Sequence, residues 1–313
     1  MSKRYALCGL SNRGVASFAL PLLGVDRDGS PTGQGHTDVA MLVAAVEPDV
    51  ARFDAFNAWL AEHELPTLRR YDTVADLVAG EQVAGEQVDA LIVASPDHTH
   101  LGHIRDGLAH DLEVLTEKPM VTTTAEAAEV LRLERASRGR VLVTHNFRYP
   151  PRHVQVKELI RSGRIGRVVQ VLLEYHVDTS HGSSYFVRWN RTKAASGGLT
   201  LHKSTHHLDL IGWLIDDEPV RVAASGGRFF YGPDSPHRPS DAEGQPLSGQ
   251  ELLDADPYWQ EMLRRGAITE PEAGQPRRGV LDLPYVEQYP ADSLLSVYDD
   301  EVDSLDTVTS VIT

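Results

Sequence analysis

The stretch that most constrains the fold is residues 88–119, where two short apolar runs flank a helical pattern. The first run, 90–94, stops at Ser95 and Pro96, and the second, 114–115, stops at a Glu-Lys-Pro tripeptide. Strand, helix and strand with short joints predict a βαβ unit, whose strands lie parallel in a sheet covered on both faces. Ligands bind at the carboxyl ends of such strands, so both stops are candidate site loops.

The first strand and turn of the chain carry an incomplete dinucleotide fingerprint. Gly9 and Gly14 occupy the first and third glycines of Gly-x-Gly-x-x-Gly, and Ser11 replaces the middle one. The first glycine permits a tight turn, the middle one lets the backbone approach a pyrophosphate, and the third lets helix and strand pack closely. A serine is small enough to keep this geometry and can donate a hydrogen bond. Asn12 and Arg13 complete the predicted cofactor cradle.

The end of the second predicted strand, 41–46, bears on the choice of dinucleotide. Glu47 follows this strand, and an acid there accepts hydrogen bonds from the ribose hydroxyls and repels the 2′-phosphate of NADP. The sequence therefore favours NAD, with NADP possible. In the alternative interpretation Glu47 caps the next helix, and Asp49 or Arg52 sets selectivity.

A histidine-rich helix is the second specific stretch. His202, His206 and Asp209 fall at i, i+4 and i+7 and share one face, whereas Lys203 and His207 are expected to lie off that face. The same spacing suits a metal site, but no His-Glu-x-x-His motif accompanies it and we predict no metal. A histidine pair that only hydrogen-bonds within the fold is the other alternative.

A polar and aromatic loop at 178–191 precedes this helix. Tyr185, Trp189 and Arg191 are candidates for stacking on a sugar ring and for binding its hydroxyls. The alternative is a loop held on its domain by its own aromatic side chains.

Together these motifs resemble those of the Gfo/Idh/MocA oxidoreductases. Pro-x-x-x-His at 96–100 and Glu-Lys-Pro at 117–119 occur in the family's order, and His206 and Asp209 match its His-x-x-Asp. The resemblance covers roughly residues 5–230. It implies an α/β fold with an N-terminal Rossmann domain, residues 1–150, and a C-terminal α+β domain with an open, mainly antiparallel sheet, residues 151–313. A long insertion, 231–293, is expected to form a lid or an oligomer arm.

The resemblance implies an NAD(P)-dependent dehydrogenase or reductase that moves a hydride between nicotinamide and a hydroxyl or keto carbon of a sugar, cyclitol or glycoside. The proton goes to a base drawn from Lys118 and His206. The family's earlier Asp is replaced here by His202, which can relay a proton or bind a hydroxyl, and a following Gly is replaced by Ser204. Asp209 is a candidate for binding substrate or for orienting a histidine. The other implied cofactor contacts are Ser95, Pro96, His100, Glu117 and Lys118, and Arg148 is a further implied substrate contact.

Two other functions are compatible with the same motifs. Some members of the family use bound NAD transiently to cleave glycosides through a keto intermediate. Others bind dinucleotide as regulators and catalyse nothing. The family also implies a homodimer or homotetramer.

Local patterns predict several elements in the C-terminal half. Strands are predicted at 168–175 and 221–230, and a helix at 251–265. Residues 306–313 alternate like a strand but are expected to lack a partner, as if the end of the second domain were missing. Such a strand would be an exposed edge.

Composition excludes several function classes. A formal net charge of −15 over 313 residues disfavours nucleic acid, whose binding needs clustered Lys and Arg. No apolar run approaches the roughly 20 residues of a membrane span, and the start lacks a signal-peptide pattern. A single cysteine, Cys8, precludes an internal disulfide and fits a reducing, cytoplasmic compartment. The expected partner is a small sugar or polyol.

Overall fold

The computed structural model describes residues 2–83, 87–265, 277–278, 280–285 and 296–313, and the chain divides into two compact units. Unit 1 comprises Met1–Thr144 and Pro271–Glu287, and unit 2 comprises His145–Glu270 and Gln288–Thr313. The first boundary therefore lies a few residues before the predicted position at 150.

Unit 1 is built on a parallel sheet of six strands. Its elements are β1 (Lys3–Cys8), α1 (Asn12–Gly14), α2 (Leu20–Leu23), β2 (Ala40–Val46), α3 (Val50–Glu62), β3 (Arg69–Tyr71), α4 (Val74–Val83), β4 (Ala90–Val93), α5 (His100–Ala109), β5 (Glu113–Thr116), α6 (Thr124–Ala136) and β6 (Val141–Val143). The strand order is β3-β2-β1-β4-β5-β6. This is the doubly wound order, and its direction reverses between β1 and β4. The predicted βαβ unit over 88–119 is confirmed as β4, α5 and β5.

The central strand β1 is buried on both faces, as a parallel sheet with helices on both sides requires. Ala6, Leu7 and Cys8 are inaccessible to solvent. Leu7 packs into one apolar cluster, whereas Ala6 and Cys8 pack into the cluster on the opposite face. Burial raises the pKa of the Cys8 thiol, so this side chain behaves as a small apolar residue.

Helix starts in unit 1 follow their capping residues. Thr123 and Glu126 form a reciprocal capping box at α6. Asp49 caps α3 by accepting a hydrogen bond from Arg52 N at 3.1 Å. The helical segment after β1 runs from α1 to α2, and its middle, Val15–Ala19, is π-helical.

A segment of the long insertion belongs to unit 1. Val280 and Leu283 are buried among the core side chains of this unit, and Leu283 is only 1% exposed. The assignment of all of 151–313 to the second domain was therefore wrong, because these apolar side chains are buried in the core of unit 1. Residues 266–276, 279 and 286–293 of the insertion lie outside the described part of the chain.

Unit 2 combines helices with a two-stranded antiparallel sheet. Its elements are α7 (Pro151–Arg161), α8 (Thr179–Gly182), α9 (Lys193–Ser196), α10 (Leu199–Ile215), β7 (Val222–Gly227), α11 (Gly249–Ala255), α12 (Pro257–Arg264) and β8 (Thr307–Ile312). Its core includes Phe186, Trp259 and Tyr298. The helices of the described ranges include none that is both long and apolar enough to cross a membrane.

Three sequence predictions in unit 2 need correction. β8 does have a partner, since it pairs antiparallel with β7 in register from Thr307 opposite Gly227. Residues 168–175 form no strand, because no described segment pairs with them, and Val169 is 88% exposed. The helix predicted at 251–265 is two helices, because Asp256 ends α11 and caps α12, and Pro257 begins the new helix.

Candidate functional site

The turn after β1 and the loop after β4 approach each other as closely as backbones can. Gly9 has φ +90°, and a Cβ added there would lie 2.8 Å from Ser95 Cα and 2.9 Å from Ser95 N. A Cβ on Gly14 would lie 2.5 Å from Gly9 O. Both glycines of the fingerprint are therefore required, the first by its backbone conformation and both by contact.

Ser11 stabilises the turn with its hydroxyl. It donates to Ala94 O at 2.6 Å and accepts from Gly14 N at 2.9 Å, which caps α1. Its φ of −69° and ψ of 166° are ordinary for an L-residue. The expectation that this position keeps its geometry with serine is confirmed, but the hydroxyl serves the turn itself.

Glu47 is buried beneath the same turn and is only 2% exposed. Its carboxylate accepts from Leu10 N at 2.8 Å and from Asp49 N at 3.0 Å, with Arg52 Nη1 at 3.5 Å. The carboxylate thus ties the end of β2 to the fingerprint turn. It does not cap α3, which is the role of Asp49. The ribose-binding role of Glu47 stays a prediction.

A contact that the sequence did not reveal joins the insertion to this region. Val280 N donates to Asn12 Oδ1 at 2.6 Å, and Arg52 Nε donates to Pro284 O at 2.9 Å. Asn12, predicted to bind cofactor, therefore also anchors the segment 280–285. The only available signal was the apolar run Val-Leu-Asp-Leu-Pro in an otherwise polar insertion.

Lys118 follows β5 at the carboxyl edge of the sheet, and Glu117 holds its backbone in place. Glu117 accepts from Arg13 Nε at 2.9 Å, from Thr144 Oγ1 at 3.1 Å and from Lys118 N at 3.2 Å. The Lys118–Pro119 peptide is cis. Arg13 thus links the fingerprint helix to the loop after β5, and the Lys118 side chain is half-buried.

His100 lies in the protein interior between the loop after β4 and the loop after β5. It is 1% exposed, and its ring nitrogens lie 2.9 Å from Ser95 O and 2.9 Å from Pro119 O. The imidazole thus joins the loop after β4 to the loop after β5, and its direct contact with cofactor stays a prediction. Ser95 and Pro96, in contrast, are partly exposed, with the Ser95 hydroxyl 2.6 Å from Thr99 Oγ1.

Asp209 and Arg148 of unit 2 were both predicted to bind substrate. They form a two-point ion pair with each other, with Arg148 Nε donating to Asp209 Oδ2 at 2.7 Å. Hydrogen bonding to Asp209 raises the pKa of Arg148. Asp209 Oδ1 also lies 3.5 Å from His145 Nε2. Asp209 therefore lies between Arg148 and His145, and its role in binding substrate or in orienting a histidine stays a prediction.

The histidines of α10 are lined by aromatic rings. The ring of His206, a buried residue, lies 5.1 Å from that of Phe147. The ring of His202 lies 5.8 Å from that of Tyr185 and 6.0 Å from that of Trp189, in edge-to-face arrangements. The predicted sugar-stacking side chains therefore flank His202, and both remain partly exposed.

Lys203 and His207 also contact this aromatic group, although the helical period predicted that they lie off its face. Lys203 Nζ lies 5.7 Å from the Tyr185 ring centroid and 5.5 Å from that of Tyr175. The ring of His207 packs 4.2 Å from that of Tyr175. The difference arises because residues 175–185 cover more of the helix than one face.

Arg191, predicted to bind substrate, lies beside two acidic side chains of unit 2. Its side chain is 4% exposed, and it donates to Glu301 Oε2 at 2.6 Å and lies 3.8 Å from Asp299 Oδ2. The guanidinium therefore joins the loop to residues 299–301 and stabilises unit 2.

The described residues offer no cluster of three or more His, Cys, Asp and Glu side chains that could hold a metal ion. Unit 1 thus presents a glycine turn, a partly exposed loop after β4 and a lysine at one sheet edge. Unit 2 presents the three histidines of α10, with aromatic rings from residues 147–189 packed beside them.

Two family models match the chain. The first is described as the oxidoreductase family, NAD-binding Rossmann fold, and matches residues 4–145. The second is described as the oxidoreductase family, C-terminal alpha/beta domain, and matches residues 157–257. Both belong to the Gfo/Idh/MocA group.

Individual relatives agree with these matches. YteT of Bacillus subtilis (strain 168), named as an oxidoreductase, is 39% identical over 77% of this chain and 53% of its own. An inositol 2-dehydrogenase of Rubrobacter xylanophilus is 30% identical over 46% of this chain and 39% of its own. The WlbA (WbpB) dehydrogenase from Thermus thermophilus, crystallised in complex with NAD and UDP-GlcNAcA, is 26% identical with a TM-score of 0.51, over 71% of this chain and 66% of its own. The chain thus spans only part of each relative.

Proposed function

We propose that this chain, which belongs to the Gfo/Idh/MocA oxidoreductase family, is an NAD-dependent dehydrogenase or reductase. It acts on a CH–OH group of a sugar or cyclitol. The observation that carries the proposal is the edge of the sheet in unit 1. The Gly9 turn closes on the loop after β4, and Lys118 follows the adjacent strand, β5. A cradle for a dinucleotide and a partly exposed cation therefore share one edge.

The residues present fit NAD. Gly9 and Gly14 leave no room for a Cβ, the start of α1 offers backbone N–H groups to phosphate, and Ser95 and Pro96 are partly exposed beside the turn. When bound, NAD supplies the hydride acceptor. The protein's own residues must bind the alcohol, orient it and remove its proton.

We propose that His206 accepts the proton of the substrate hydroxyl. Oxidation of an alcohol transfers hydrogen from carbon with its electron pair to the cofactor, and the hydroxyl proton must leave to a nearby base. A neutral imidazole has the appropriate basicity near pH 7. The Lys118 ammonium orients the hydroxyl and stabilises the negative charge that develops on its oxygen. His202, between Tyr185 and Trp189, is assigned to bind a further hydroxyl.

We propose NAD over NADP on electrostatic grounds. Glu47 places a buried carboxylate at the end of β2, where it opposes a 2′-phosphate. The nearby guanidinium groups already face acids: Arg52 lies 3.4 Å from Asp49 Oδ2 and Arg70 pairs with Asp72. A phosphate would have to compete with those carboxylates.

The substrate class follows from the aromatic side chains around His202. Tyr185 and Trp189 are partly exposed, and their faces suit the apolar face of a sugar or cyclitol ring. The relative named inositol 2-dehydrogenase supports a polyhydroxylated ring.

The test is NADH formation at 340 nm with NAD⁺ and a panel of aldoses, uronates and inositols, using the wild type, Lys118→Met and His206→Gln. We expect turnover with at least one ring substrate and a loss of about 10²–10⁴-fold in kcat for His206→Gln. The matched control is His110→Gln, an exposed residue after α5 at the opposite sheet edge.

Unchanged turnover in Lys118→Met and His206→Gln would refute the assigned roles. Product release from a glycoside without net NADH would favour transient redox cleavage. Dinucleotide binding with no activity on the whole panel would favour a regulator.

A further inference from the structure

Lys203 is held between two tyrosine rings beside the proposed base. Its ammonium nitrogen lies 5.5 Å from the centroid of Tyr175 and 5.7 Å from that of Tyr185. It precedes His206 by three residues on α10, so the two side chains start roughly 5–6 Å apart on neighbouring positions of the helix surface. The side chain is half-buried.

No acidic side chain of the described ranges forms an ion pair with Lys203. Comparable lysines do have one: Lys157 lies 2.5 Å from Asp216 Oδ2, and Lys3 lies 2.5 Å from Glu113 Oε1. The chain has 45 acidic and 30 basic residues, so acids are abundant. Lys203 therefore differs from Lys157 and Lys3, because its ammonium faces two tyrosine rings and no acid of the described ranges.

Histidine side chains lie around the rings that hold Lys203. His181 Nε2 lies 3.1 Å from the Tyr185 hydroxyl, and His202 and His207 contact Tyr185 and Tyr175. Burial first and Lys203 second lower the pKa of both His181 and His207. Asp178 opposes this effect at His181, and Arg188 adds to it. The lowered pKa values keep the imidazoles of His181 and His207 neutral near pH 7, so the positive charge here is that of Lys203 and Arg188, and that charge favours an anion.

Two cation–π contacts compensate only part of the hydration that a half-buried ammonium loses. A negatively charged group on a bound molecule would supply the missing partner through a charge-assisted hydrogen bond. A single ammonium matches a carboxylate better than a phosphate dianion, which proteins usually bind with several donors.

We propose that Lys203 is a subsite for a carboxylate of the substrate, so that the ring oxidised by this protein is a sugar acid of the hexuronate class. The inference rests on the proposed function for the position of the ring, since Tyr185 must lie against the substrate. Lys203 binds the carboxylate and sets specificity, whereas His206 accepts the proton.

The experiment measures calorimetric affinities in the presence of saturating NADH. The probes are D-galacturonate and D-glucuronate, the matched neutral sugars D-galactose and D-glucose, and galactose 6-phosphate. The proteins are the wild type, Lys203→Met, Lys203→Arg and the control Lys193→Met, which removes an exposed lysine of α9.

We expect the wild type and Lys193→Met to bind a uronate at least tenfold more tightly than its neutral sugar and than the phosphate ester. Lys203→Met should lose about tenfold to a hundredfold in uronate affinity, as expected for a hydrogen bond to a charged group, and leave the neutral sugar unchanged. Lys203→Arg should retain part of the preference, and added salt should reduce it in the wild type.

Equal affinity for uronate and neutral sugar, failure to bind either, or tighter binding of the phosphate ester would overturn the proposal. Unchanged uronate affinity in Lys203→Met would also overturn it. If Lys203→Met does not fold, Lys203→Arg and the salt dependence of the wild type decide. Uronate binding that depends on Lys203 without any NADH formation from NAD⁺ would refute the proposed dehydrogenase and leave the subsite standing.

Discussion

Replacing Gly9 by alanine should damage the fingerprint turn in a way that can be separated from simple backbone strain. At φ +90° an L-residue costs about 1–2 kcal/mol. The new Cβ would also lie 2.8 Å from Ser95 Cα, and this forced shift of backbone adds about 1–3 kcal/mol. We therefore expect Gly9→Ala to lower the free energy of unfolding by about 2–5 kcal/mol. Dinucleotide affinity should fall at least tenfold, because the loop after β4 must move.

Gly33→Ala is the matched control. Gly33 also has positive φ, at +67°, but an added Cβ would meet nothing within 4 Å, so only the strain of about 1–2 kcal/mol applies. Urea unfolding followed by circular dichroism gives both free energies, and calorimetry gives the NAD⁺ affinities. Equal losses of stability in the two variants, or unchanged NAD⁺ affinity in Gly9→Ala, would refute the close approach.

Three further predictions address burial. Burial, and then the charge of His100, lowers the pKa of His103 from 6.5 to about 4. As pH falls, His103 is protonated in the unfolded chain before it is protonated in the folded one, so the free energy of unfolding should drop by about 3 kcal/mol between pH 6.5 and pH 4. Urea titrations of His103→Gln should show a flatter dependence on pH. Leu283→Ala should lower the stability of unit 1 by about 2–5 kcal/mol, and an unchanged unfolding midpoint would contradict the docking of this segment. Arg191→Met should lower the free energy of unfolding by about 1–3 kcal/mol and leave sugar affinity unchanged. Trp189→Ala should weaken sugar binding and leave stability unchanged. Loss of sugar affinity in Arg191→Met without loss of stability would place Arg191 in the substrate site.

Local patterns sufficed for much of the fold in unit 1. The apolar pattern of residues 88–119 and the glycines of the first turn are signals whose physical cause lies within a few residues. The alternation at 306–313 correctly predicted a strand. Its partner, β7, could not be predicted, because antiparallel pairing across some eighty residues leaves no local trace.

Three residues that were predicted to contact a ligand have partners within the protein that the sequence could not show. His100, Arg191 and Arg148 are polar residues in candidate loops, and their partners lie elsewhere in the chain: the backbone oxygens of Ser95 and Pro119, the acids of 299–301, and Asp209. A sequence shows the donor but not the distant acceptor that occupies it. The cytoplasmic location and the homo-oligomeric state stay predictions.

The contact between Asn12 and Val280 also joins residues that are far apart in the sequence. Residues separated by 268 positions meet at 2.6 Å, and only the apolar character of 280–285 hinted that this part of the insertion is buried. The consequence is that a segment predicted as a lid or an oligomer arm is attached to the fingerprint turn itself.

The most direct test of the account is a calorimetric titration of the purified chain with NAD⁺ and, separately, with NADP⁺. The cradle formed by Gly9, Gly14 and the loop after β4, with Glu47 beneath it, predicts NAD⁺ binding at least tenfold tighter than that of NADP⁺. Binding of neither dinucleotide would contradict the central claim that unit 1 is a working cofactor site. Tighter binding of NADP⁺ would contradict the role of Glu47.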